Sequence, residues 1–366
     1  MTDIEQIAER EAVFRLGHIS GAPPDAEAVE FERKRRLGNS LFAYDTAARC
    51  PLKLNGWLKR LSYDPTKDLW SVPADLKGPV LRHTRNADLI GDIKPFGNVG
   101  VIYADMRDSV SIKDPRFPIF QYNRRKNAVN CVLWPLRRVH DIGSGNFFGS
   151  LPRETNPFER KRARIFWRGN LAGFSNFEGD VRNVRLLVDS FLDGEISEDL
   201  FKAHLDTVPR YRFVSMFADD PRVDAGFVMS GRHSHLAKVR LIAPYVRPPA
   251  ERLDYVDNKY LIALSGTDVS TVFGWAPGAD VLLFKEDYDY EVFFDCHFQE
   301  GKDYVKVRPD FSDVLELFEW AESNVAECRE KIAHANALSA ILAQPEFRKR
   351  ANTAFFDLYK TRVLSR

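Results

Sequence analysis

Hydrophobic residues recur with a helical period at both ends of the chain. Near the start they are Ile4, Ile7, Ala8, Ala12, Val13 and Leu16, which share one face and predict an amphipathic helix over residues 3–17. The turn-forming Gly-Ala-Pro-Pro at 21–24 ends this helix. The same period predicts helices over residues 25–37, 180–193, 310–340 and 345–361, and Ser312 can cap the helix over 310–340.

Short apolar runs bounded by turn residues predict buried strands. These runs cover residues 98–106, 117–121, 129–134, 165–167, 211–217, 238–243, 259–264, 279–284 and 304–307. Strands that alternate with helices indicate an α/β protein with parallel sheets. Residues 141–158 are rich in Gly, Ser, Asn and Pro, which is typical of a long loop or an interdomain linker, so we expect two such sheets.

Composition and charge narrow the class of protein. The chain has 366 residues, of which 44% are hydrophobic and 12% aromatic, so it can bury a sizeable core and form two domains. A net charge of +1 gives no general attraction to nucleic acid or to an anionic membrane. Basic residues form local clusters instead, a pattern that fits a small anionic ligand better than a polyanion.

Cysteine spacing and the N-terminal sequence indicate the cellular compartment in which the protein is expected. The cysteines at 50, 131, 296 and 328 show no CxxC spacing, which argues against a zinc site or a disulfide framework and favours a reducing compartment. The first 15 residues lack the apolar segment of a signal peptide. No run approaches the roughly 18 apolar residues that a membrane span needs. We therefore expect a cytosolic protein.

Residues 165–173, Ile-Phe-Trp-Arg-Gly-Asn-Leu-Ala-Gly, have the pattern of a buried strand that ends at a ligand. Gly169 removes a side chain where the backbone must turn or approach something closely. Arg168 offers five donors in a planar fork that suits phosphate or carboxylate. Because four basic residues precede the strand at 160–164, the alternative is an ordinary strand end with a solvated basic flank.

A second candidate follows the predicted strand over 98–106. Asp105, Arg107 and Asp108 come at or just after its carboxyl end, the place where open α/β sheets bind ligands. Two acids and an arginine in that position could include a general base. The alternative is an acid that only caps the strand or forms an ion pair.

A third candidate is Ser-Gly-Thr-Asp-Val-Ser-Thr at 265–271, which contains Gly266, Asp268, Ser270 and Thr271. A strand that ends in glycine, followed by hydroxyl residues that open a helix, can bind an anion through backbone N–H groups and the helix dipole. The stretch matches neither GxGxxG nor GxxxxGK[ST]. A helix start capped by Ser or Thr explains the same residues equally well.

Two short acidic and histidine patterns are weak metal candidates. Asp287 and Asp289 form a D-x-D triplet of the kind some sugar-nucleotide enzymes use to hold a divalent metal, but a solvated loop explains them better. His233 and His235 would share one face of a strand, without an evident third ligand. The chain has no GxSxG, no HExxH and no catalytic-cysteine context, which counts modestly against hydrolases.

Taken in order, these segments resemble glycosyltransferase family 90, which contains capsule-associated proteins, bacterial lipopolysaccharide-modifying glycosyltransferases and animal protein O-glucosyltransferases. The resemblance covers residues 98–340 and is strongest over 259–320. Phe-Trp-Arg-Gly at 166–169 is similar to the aromatic-Arg-Gly signature of the family. Met-Arg-Asp at 106–108 is similar to its Val-Arg-Asp segment.

The resemblance implies a GT-B architecture, in which two Rossmann-like domains face each other across a cleft. The expected domains are an acceptor-side domain with a helical extension over 1–155, a nucleotide-sugar domain over 156–340 and a helix over 341–366 that returns to the first domain. It implies an inverting, metal-independent transfer from a UDP-sugar, with no cofactor. Asp108 would be the base, which is ionised at neutral pH with an ordinary pKa of about 3.9. The implied donor-binding residues are Arg168, Gly169, Arg185, Gly266, Asp268, Ser270, Thr271 and Glu291.

Two positions depart from the family pattern. Asp303 stands where many relatives have histidine, and Val272 stands where the animal enzymes have an arginine two residues after the serine that matches Ser270. Arg168, with Arg182 or Arg185, would have to compensate for the missing arginine in holding the diphosphate. These departures keep open a non-catalytic protein that binds nucleotide or carbohydrate on the same fold. Lacking the export signal and retention tail of the animal enzymes, the chain fits the bacterial, cytoplasmic branch. Its acceptor would be a lipid-linked or lipopolysaccharide glycan at the inner membrane face, which leaves peripheral membrane association open.

Overall fold

The structure is a computed structural model that describes residues 3–21, 23–36, 40–52, 62–64, 69–71, 80–107, 112–136, 156–229 and 231–365. The chain divides into two compact units. Unit 1 comprises Met1–Gly149, Asp289–His297 and Ile341–Arg366. Unit 2 comprises Ser150–Tyr288 and Phe298–Ala340. The chain therefore leaves unit 1 and returns to it twice.

A mixed sheet forms the centre of unit 1. The strands before residue 149 are β1 (Phe42–Asp45), β2 (Cys50–Pro51), β3 (Ser62–Asp64), β4 (Leu69–Ser71), β5 (Val101–Ala104), β6 (Ile119–Gln121), β7 (Asn123–Arg125) and β8 (Cys131–Leu133). Five of them form one sheet in the order β2-β1-β5-β6-β8. β1 is antiparallel to β2 and β5, whereas β5, β6 and β8 run parallel. β3 and β4 form a separate antiparallel pair.

The helices of unit 1 before residue 149 are α1 (Asp3–Leu16), α2 (Ala26–Lys34) and α3 (Val80–Ile93), followed by a 3-10 turn at Lys94–Phe96. α1 and α2 confirm the helices predicted over 3–17 and 25–37. α2 starts where its sequence can satisfy a free amide, because the carboxylate of Asp25 accepts the N–H of Ala28 at 2.8 Å.

A five-stranded parallel sheet forms the centre of unit 2. The next strands along the chain are β9 (Arg162–Gly169), β10 (Phe174–Phe177), β11 (Asp180–Asn183), β12 (Val223–Phe227), β13 (Asn258–Ala263), β14 (Leu282–Glu286), β15 (Tyr290–Val292) and β16 (Val305–Val307). The sheet has the order β12-β9-β13-β14-β16, and every pairing in it is parallel. β10 and β11 form an antiparallel pair, and β15 pairs with β7 in unit 1.

The remaining helices are α4 (Val184–Leu192), α5 (Glu198–Leu205), α6 (Pro209–Met216), α7 (Arg252–Val256), α8 (Val314–Ser323), α9 (Val325–Leu342) and α10 (Pro345–Tyr359). Short 3-10 segments lie at Phe158–Arg160, Gly231–Lys238, Ala243–Tyr245 and Ala276–Gly278, and a π-helical turn follows α10 at Lys360–Leu364. The core of unit 2 contains fully buried Trp167, Phe213, Tyr260 and Phe284, contributed by both strands and helices. Alternating strands and helices with parallel pairing confirm the predicted α/β class.

The strand predicted over 211–217 is wrong, because residues 211–216 belong to α6 and Phe217 is its C-cap residue. Pro209 stands in the first turn of that helix, where its missing N–H costs no hydrogen bond. Tyr211, Val214 and Phe217 are buried at a spacing of three residues, which places them on one face of a helix with a period of about 3.6 residues. The aromatic and β-branched residues that suggested a strand therefore cover one side of a helix.

Three further predictions need correction. The strand predicted over 238–243 is instead a series of turns between two 3-10 segments. The helix predicted over 180–193 begins only at Val184, after β11, because Asn183 caps α4 by accepting the N–H of Arg185 at 3.0 Å. Ser312 does not cap α8: Asp313 is the N-cap residue, and the Ser312 hydroxyl donates to Asp310 at 2.9 Å.

A buried charged network joins three segments of unit 1. Glu11 of α1 contacts Arg348 of α10, and its Oε2 lies 2.9 Å from Nε2 of His297. Nη1 of Arg15 lies 3.4 Å from the same carboxylate. Burial raises the pKa of Glu11, but Arg348, His297 and Arg15 together outweigh it and lower the pKa to about 2. The network thus holds an ionised carboxylate inside the unit.

Among the described helices, none combines the length and the apolar composition needed to span a lipid bilayer.

Candidate active site

The strands of the parallel sheet in unit 2 end at one edge. β9 ends at Gly169, β13 at Ala263 and β14 at Glu286. We call residues 170–173 the β9 loop and residues 264–271 the β13 loop. Ligands of open α/β sheets bind outside the carboxyl ends of the strands, so these loops border the candidate site.

Arg168 lies at this edge, and its guanidinium already has protein partners. Nη2 is 2.5 Å from Oδ1 of Asp224, and Nη1 donates to the backbone carbonyl of Asp224 at 2.9 Å. The guanidinium carbon stands 4.6 Å from the centre of the Phe166 ring. The side chain is 10% exposed. The charge of Arg168 is therefore held in place over Phe166 by a carboxylate with which the guanidinium shares its donors.

Asp224 joins two arginines of β9. Its second oxygen lies 2.9 Å from Nη1 of Arg164, so the carboxylate bridges Arg164 and Arg168 on one face of the sheet. Tyr255 of α7 covers this face: its ring packs edge-on against Phe166 at 4.9 Å, and its hydroxyl donates to the carbonyl of Arg168. Burial raises the pKa of Tyr255 to about 12, so its hydroxyl keeps its proton at neutral pH.

Gly169 is required by a neighbouring side chain. A methyl group built on Gly169 would lie 2.5 Å from Cζ2 of Trp167. The indole of Trp167 is 2% exposed and belongs to the core of unit 2. The sequence predicts that something lies close to Gly169, and in the structure that close neighbour is the indole of Trp167.

Arg210 is a residue at this edge that the sequence did not single out. It stands in the first turn of α6, and its guanidinium reaches both loops. Nη1 donates to the carbonyl of Asn170 at 2.9 Å, and Nε donates to the carbonyl of Ser265 at 2.9 Å. Desolvation lowers the pKa of Arg210 to about 10, partly opposed by Glu286, so the group stays charged at neutral pH. No local motif marks it, because its partners lie 40 and 55 residues away.

Gly266 lies directly against this guanidinium. A methyl group on Gly266 would stand 2.6 Å from Nη2 of Arg210. The two loops also touch, since a methyl group on Gly173 would lie 3.1 Å from the carbonyl oxygen of Gly266. Gly173 has a φ of +127°, a conformation that favours glycine. The predicted site residues Gly169 and Gly266 are thus connected through neighbouring side chains: Gly169 lies against Trp167, and Gly266 lies against Arg210. The guanidinium carbon of Arg210 stands 5.6 Å from the centre of the Trp167 ring.

Glu286 holds the β13 loop from another side. Its Oε2 accepts the backbone N–H of Ser265 at 2.7 Å, and its Oε1 accepts the Ser265 hydroxyl at 3.0 Å. Burial raises the pKa of Glu286, and the two bonds from Ser265 and the charge of Arg210 oppose that rise. Glu286 is the last residue of β14, and no local sequence pattern singles it out.

The helix expected to open at Ser270 is absent from the described residues. Residues 264–270 form a loop, 271–275 a turn, and Ala276–Gly278 a 3-10 segment. Gly266 donates its N–H to the carbonyl of Asp268 at 2.9 Å, which bends the loop locally. Ser270 is buried and Thr271 is exposed. The predicted contribution of a helix dipole at this place is therefore wrong.

Arg185 is exposed in the first turn of α4. Arg182, the other arginine expected to compensate for Val272, donates to Asp180 at 2.7 Å. Val272 itself is buried, and Asp303 contacts His334 of α9 and accepts the N–H of Gln299 at 2.7 Å. The aspartate at 303 thus has a structural partner in unit 2.

The candidate base region lies in unit 1. Asp108 is outside the described residues. Asp105, just after β5, is fully buried, and both its oxygens accept from Arg107, at 2.8 and 2.7 Å. Nε of Arg36 lies 3.3 Å from the same carboxylate. For Asp105, the alternative of an ion-paired acid at a strand end is therefore the one observed.

Glu291 belongs to unit 1, whereas the other described donor-site residues belong to unit 2. It lies on β15 opposite Arg124 of β7, and Nε of Arg124 is 2.9 Å from its carboxylate. This pairing gives Glu291 a structural role between two strands.

The weak metal candidates are not assembled into a common site. Asp287 lies in unit 2, 3.7 Å from Lys306, and Asp289 lies in unit 1, 3.5 Å from Arg125. His233 and His235 belong to a 3-10 segment and not to a strand, so the shared strand face expected for them is wrong. Across the part of the chain that the structure describes, no three His, Cys, Asp or Glu side chains form a group able to hold a metal ion.

Comparison with known proteins points to sugar transfer. The chain is 25% identical over 343 residues to O-glucosyltransferase LpsA of Dichelobacter nodosus, a match that covers 90% of this chain and 88% of that protein. It is 25% identical over 141 residues to protein O-glucosyltransferase 3 of Homo sapiens and 26% identical over 136 residues to the Rattus norvegicus protein. These two matches span about a quarter of the relatives' length, 26% and 25%. No family model matches the chain. The similarities support a glycosyltransferase in general terms.

Proposed function

We propose that the chain is an inverting glycosyltransferase that moves a sugar from a UDP-sugar to a hydroxyl group of a glycan. The observation that carries this proposal is the similarity to O-glucosyltransferase LpsA over 90% of the chain. The names of the relatives make glucose the first sugar to test. The two units of the chain agree with a GT-B arrangement, in which one domain binds the donor and the other the acceptor.

The donor would bind at the carboxyl edge of the sheet in unit 2. Two arginines, Arg168 and Arg210, bring fixed positive charge to this edge. A diphosphate leaving group gains negative charge in the transition state. Preorganised cations that meet that charge lower the barrier, which is electrostatic catalysis.

The base would come from unit 1. Displacement in one step with inversion requires a group that takes the proton of the acceptor hydroxyl. Asp108 remains our candidate, because the neighbouring Asp105 has both oxygens bound by arginines. Arg107 and Arg36 are thereby occupied by Asp105.

The proposed reaction needs no metal ion and no cofactor beyond the donor substrate. The charge that a metal would supply to the diphosphate would come from Arg168 and Arg210. The proposed acceptor is a lipid-linked or lipopolysaccharide glycan at the cytoplasmic face of the inner membrane.

A second candidate is a protein that binds nucleotide or carbohydrate without catalysis. The ion pair of Arg168 with Asp224 favours it, because a guanidinium that already serves one carboxylate has fewer donors for a diphosphate. The two candidates differ in whether the donor is turned over.

Thermal unfolding with UDP, GDP, ADP and TDP, each with and without EDTA, tests the donor class. A ligand at about 100 times its dissociation constant adds about 2.7 kcal/mol to the free energy of unfolding. Stabilisation by UDP alone, unchanged by EDTA, is the expected result. Stabilisation by another nucleotide would change the donor, and no stabilisation by any of the four would contradict a nucleotide-sugar enzyme.

A further inference from the structure

We propose that Arg210 is a positioning residue that fixes the β9 and β13 loops in the shape that binds the nucleotide diphosphate. The proposal rests on the proposed function for its ligand. Its structural part, the control of the two loops by one guanidinium, rests on contacts within unit 2 alone.

The guanidinium of Arg210 bonds to backbone carbonyls of both loops. It donates to Asn170 of the β9 loop at 2.9 Å and to Ser265 of the β13 loop at 2.9 Å. A longer contact of 3.5 Å reaches the carbonyl of Leu264. These carbonyls follow strands that end, so sheet pairing does not hold them. One side chain from α6 therefore replaces the missing sheet contacts of two loops.

Glu286 completes the restraint on the β13 loop. Arg210 holds the carbonyl of Ser265, while Glu286 holds its N–H at 2.7 Å and its hydroxyl at 3.0 Å. The donor and acceptor groups of one residue are thus fixed by two opposite charges. A loop that is held in this way before the ligand arrives loses little entropy when the ligand binds.

The surroundings of Arg210 leave little freedom for the side chain. Its guanidinium carbon stands 5.6 Å from the centre of the Trp167 ring, and Gly266 lies close against its Nη2. A side chain at position 266 would occupy the space of the guanidinium. Glycine at position 266 therefore leaves room for the guanidinium of Arg210.

Arginine and lysine differ sharply in this role. The planar fork of arginine offers five N–H donors and can bond to several carbonyls at fixed angles, whereas lysine carries its donors on one nitrogen. A cation that only attracted phosphate would tolerate lysine. A residue that shapes two loops through several carbonyls would not.

The test uses Arg210→Lys and Arg210→Gln in the full chain. Arg212→Gln is the matched control, because Arg212 lies on the same helix and donates to carbonyls of Asp206 and Pro309, at 2.9 and 3.5 Å. Hydrogen exchange of the Ser265 and Gly266 amides reports on the loop without any ligand. The dissociation constant of UDP, measured by calorimetry, reports on the site.

We expect both Arg210 variants to accelerate exchange of these amides and to weaken UDP binding about tenfold or more, the cost of lost preorganisation. Arg212→Gln should change neither quantity by more than about twofold. Guanidinium ion added to an Arg210→Ala variant should restore part of the protection, which a merely unfolded protein would not show.

Unchanged exchange at Ser265 and Gly266 in both Arg210 variants would overturn the proposal. Wild-type affinity for UDP in Arg210→Lys would also overturn it, because charge alone would then suffice. If the wild-type protein binds no nucleotide, the proposed function fails. In that case the exchange experiment still decides whether Arg210 fixes the loops.

Discussion

Arg168 of β9 reaches diagonally across to Asp224 of the neighbouring parallel strand β12, whose register partner is Phe166, and Nη2 of the arginine lies 2.5 Å from Oδ1 of the aspartate. Asp224 keeps a second partner, because Nη1 of Arg164 lies 2.9 Å from its other oxygen. Arg168 can therefore turn some of its donors to an anion while Asp224 remains neutralised. The carboxylate holds the guanidinium of Arg168 over the Phe166 ring, at a fixed position two residues back along β9.

Arg168→Ala should weaken UDP binding by about 1.5–3 kcal/mol, the range for a hydrogen bond to a charged group. Stability should fall less than for a broken buried pair, because Arg164 still neutralises Asp224. Calorimetric titration with UDP gives the first quantity and urea unfolding the second.

The control for this change is Arg222→Ala. Arg222 forms ion pairs with Asp220 at 2.7 Å and Glu319 at 2.8 Å, but it precedes β12 at the other end of the strand. It should leave UDP affinity unchanged. Equal affinity of the wild-type and Arg168→Ala proteins would remove Arg168 from the donor site.

Gly266→Ala should destabilise the protein by about 1–3 kcal/mol, because the new methyl group would lie 2.6 Å from Nη2 of Arg210. Urea unfolding measures the loss. The same substitution should cost less in an Arg210→Gln background, where the crowded group is absent. A double-mutant cycle gives this difference. An identical cost in both backgrounds would show that the guanidinium does not occupy this space.

Much of the fold follows from local pattern. β9 and β13 were predictable because each is a buried run closed by glycine or serine at the sheet edge. α6 was not, because Tyr211, Phe213 and Val214 favour strands locally, and only Pro209 and the packing of one face select a helix.

The site was predictable only in part. Arg168, Gly169 and Gly266 stand at the sheet edge that the sequence indicated, but the partners that decide their roles are distant in the chain. Asp224 is 56 residues from Arg168, and Ser265 is 55 residues from Arg210. A pattern within one segment cannot reveal such pairs. The helix expected after Ser270 is wrong for a different, local reason: hydroxyl residues suit turns as well as helix starts.

Glu11→Gln should flatten the acid dependence of stability. The folded-state pKa of Glu11 is about 2, below its ordinary value of 4.5. A depressed carboxyl pKa gives stability that is fully present above pH 4.5 and is lost as the pH falls toward 2. At about 1.4 kcal/mol for each pH unit between the two values, this is about 3 kcal/mol.

Urea unfolding of the wild type and Glu11→Gln at several pH values between 6 and about 2.5 measures this effect. Glu5→Gln is the control, because Glu5 lies on the same helix and pairs with Arg350 of α10 at 3.4 Å, but is exposed. Its pH dependence should match that of the wild type. Parallel curves for Glu11→Gln and the wild type would contradict an ionised Glu11 in the core of unit 1.

The most direct test of sugar transfer is turnover of UDP-α-glucose by the purified chain in EDTA, followed by proton NMR with and without glycan acceptors. We expect release of UDP, and a β-configured sugar as the first product, because a single displacement inverts the anomeric carbon. Asp108→Asn should abolish this turnover and leave UDP affinity nearly unchanged. Binding of UDP-glucose without any release of UDP would contradict sugar transfer, and full turnover in Asp108→Asn would contradict Asp108 as the base.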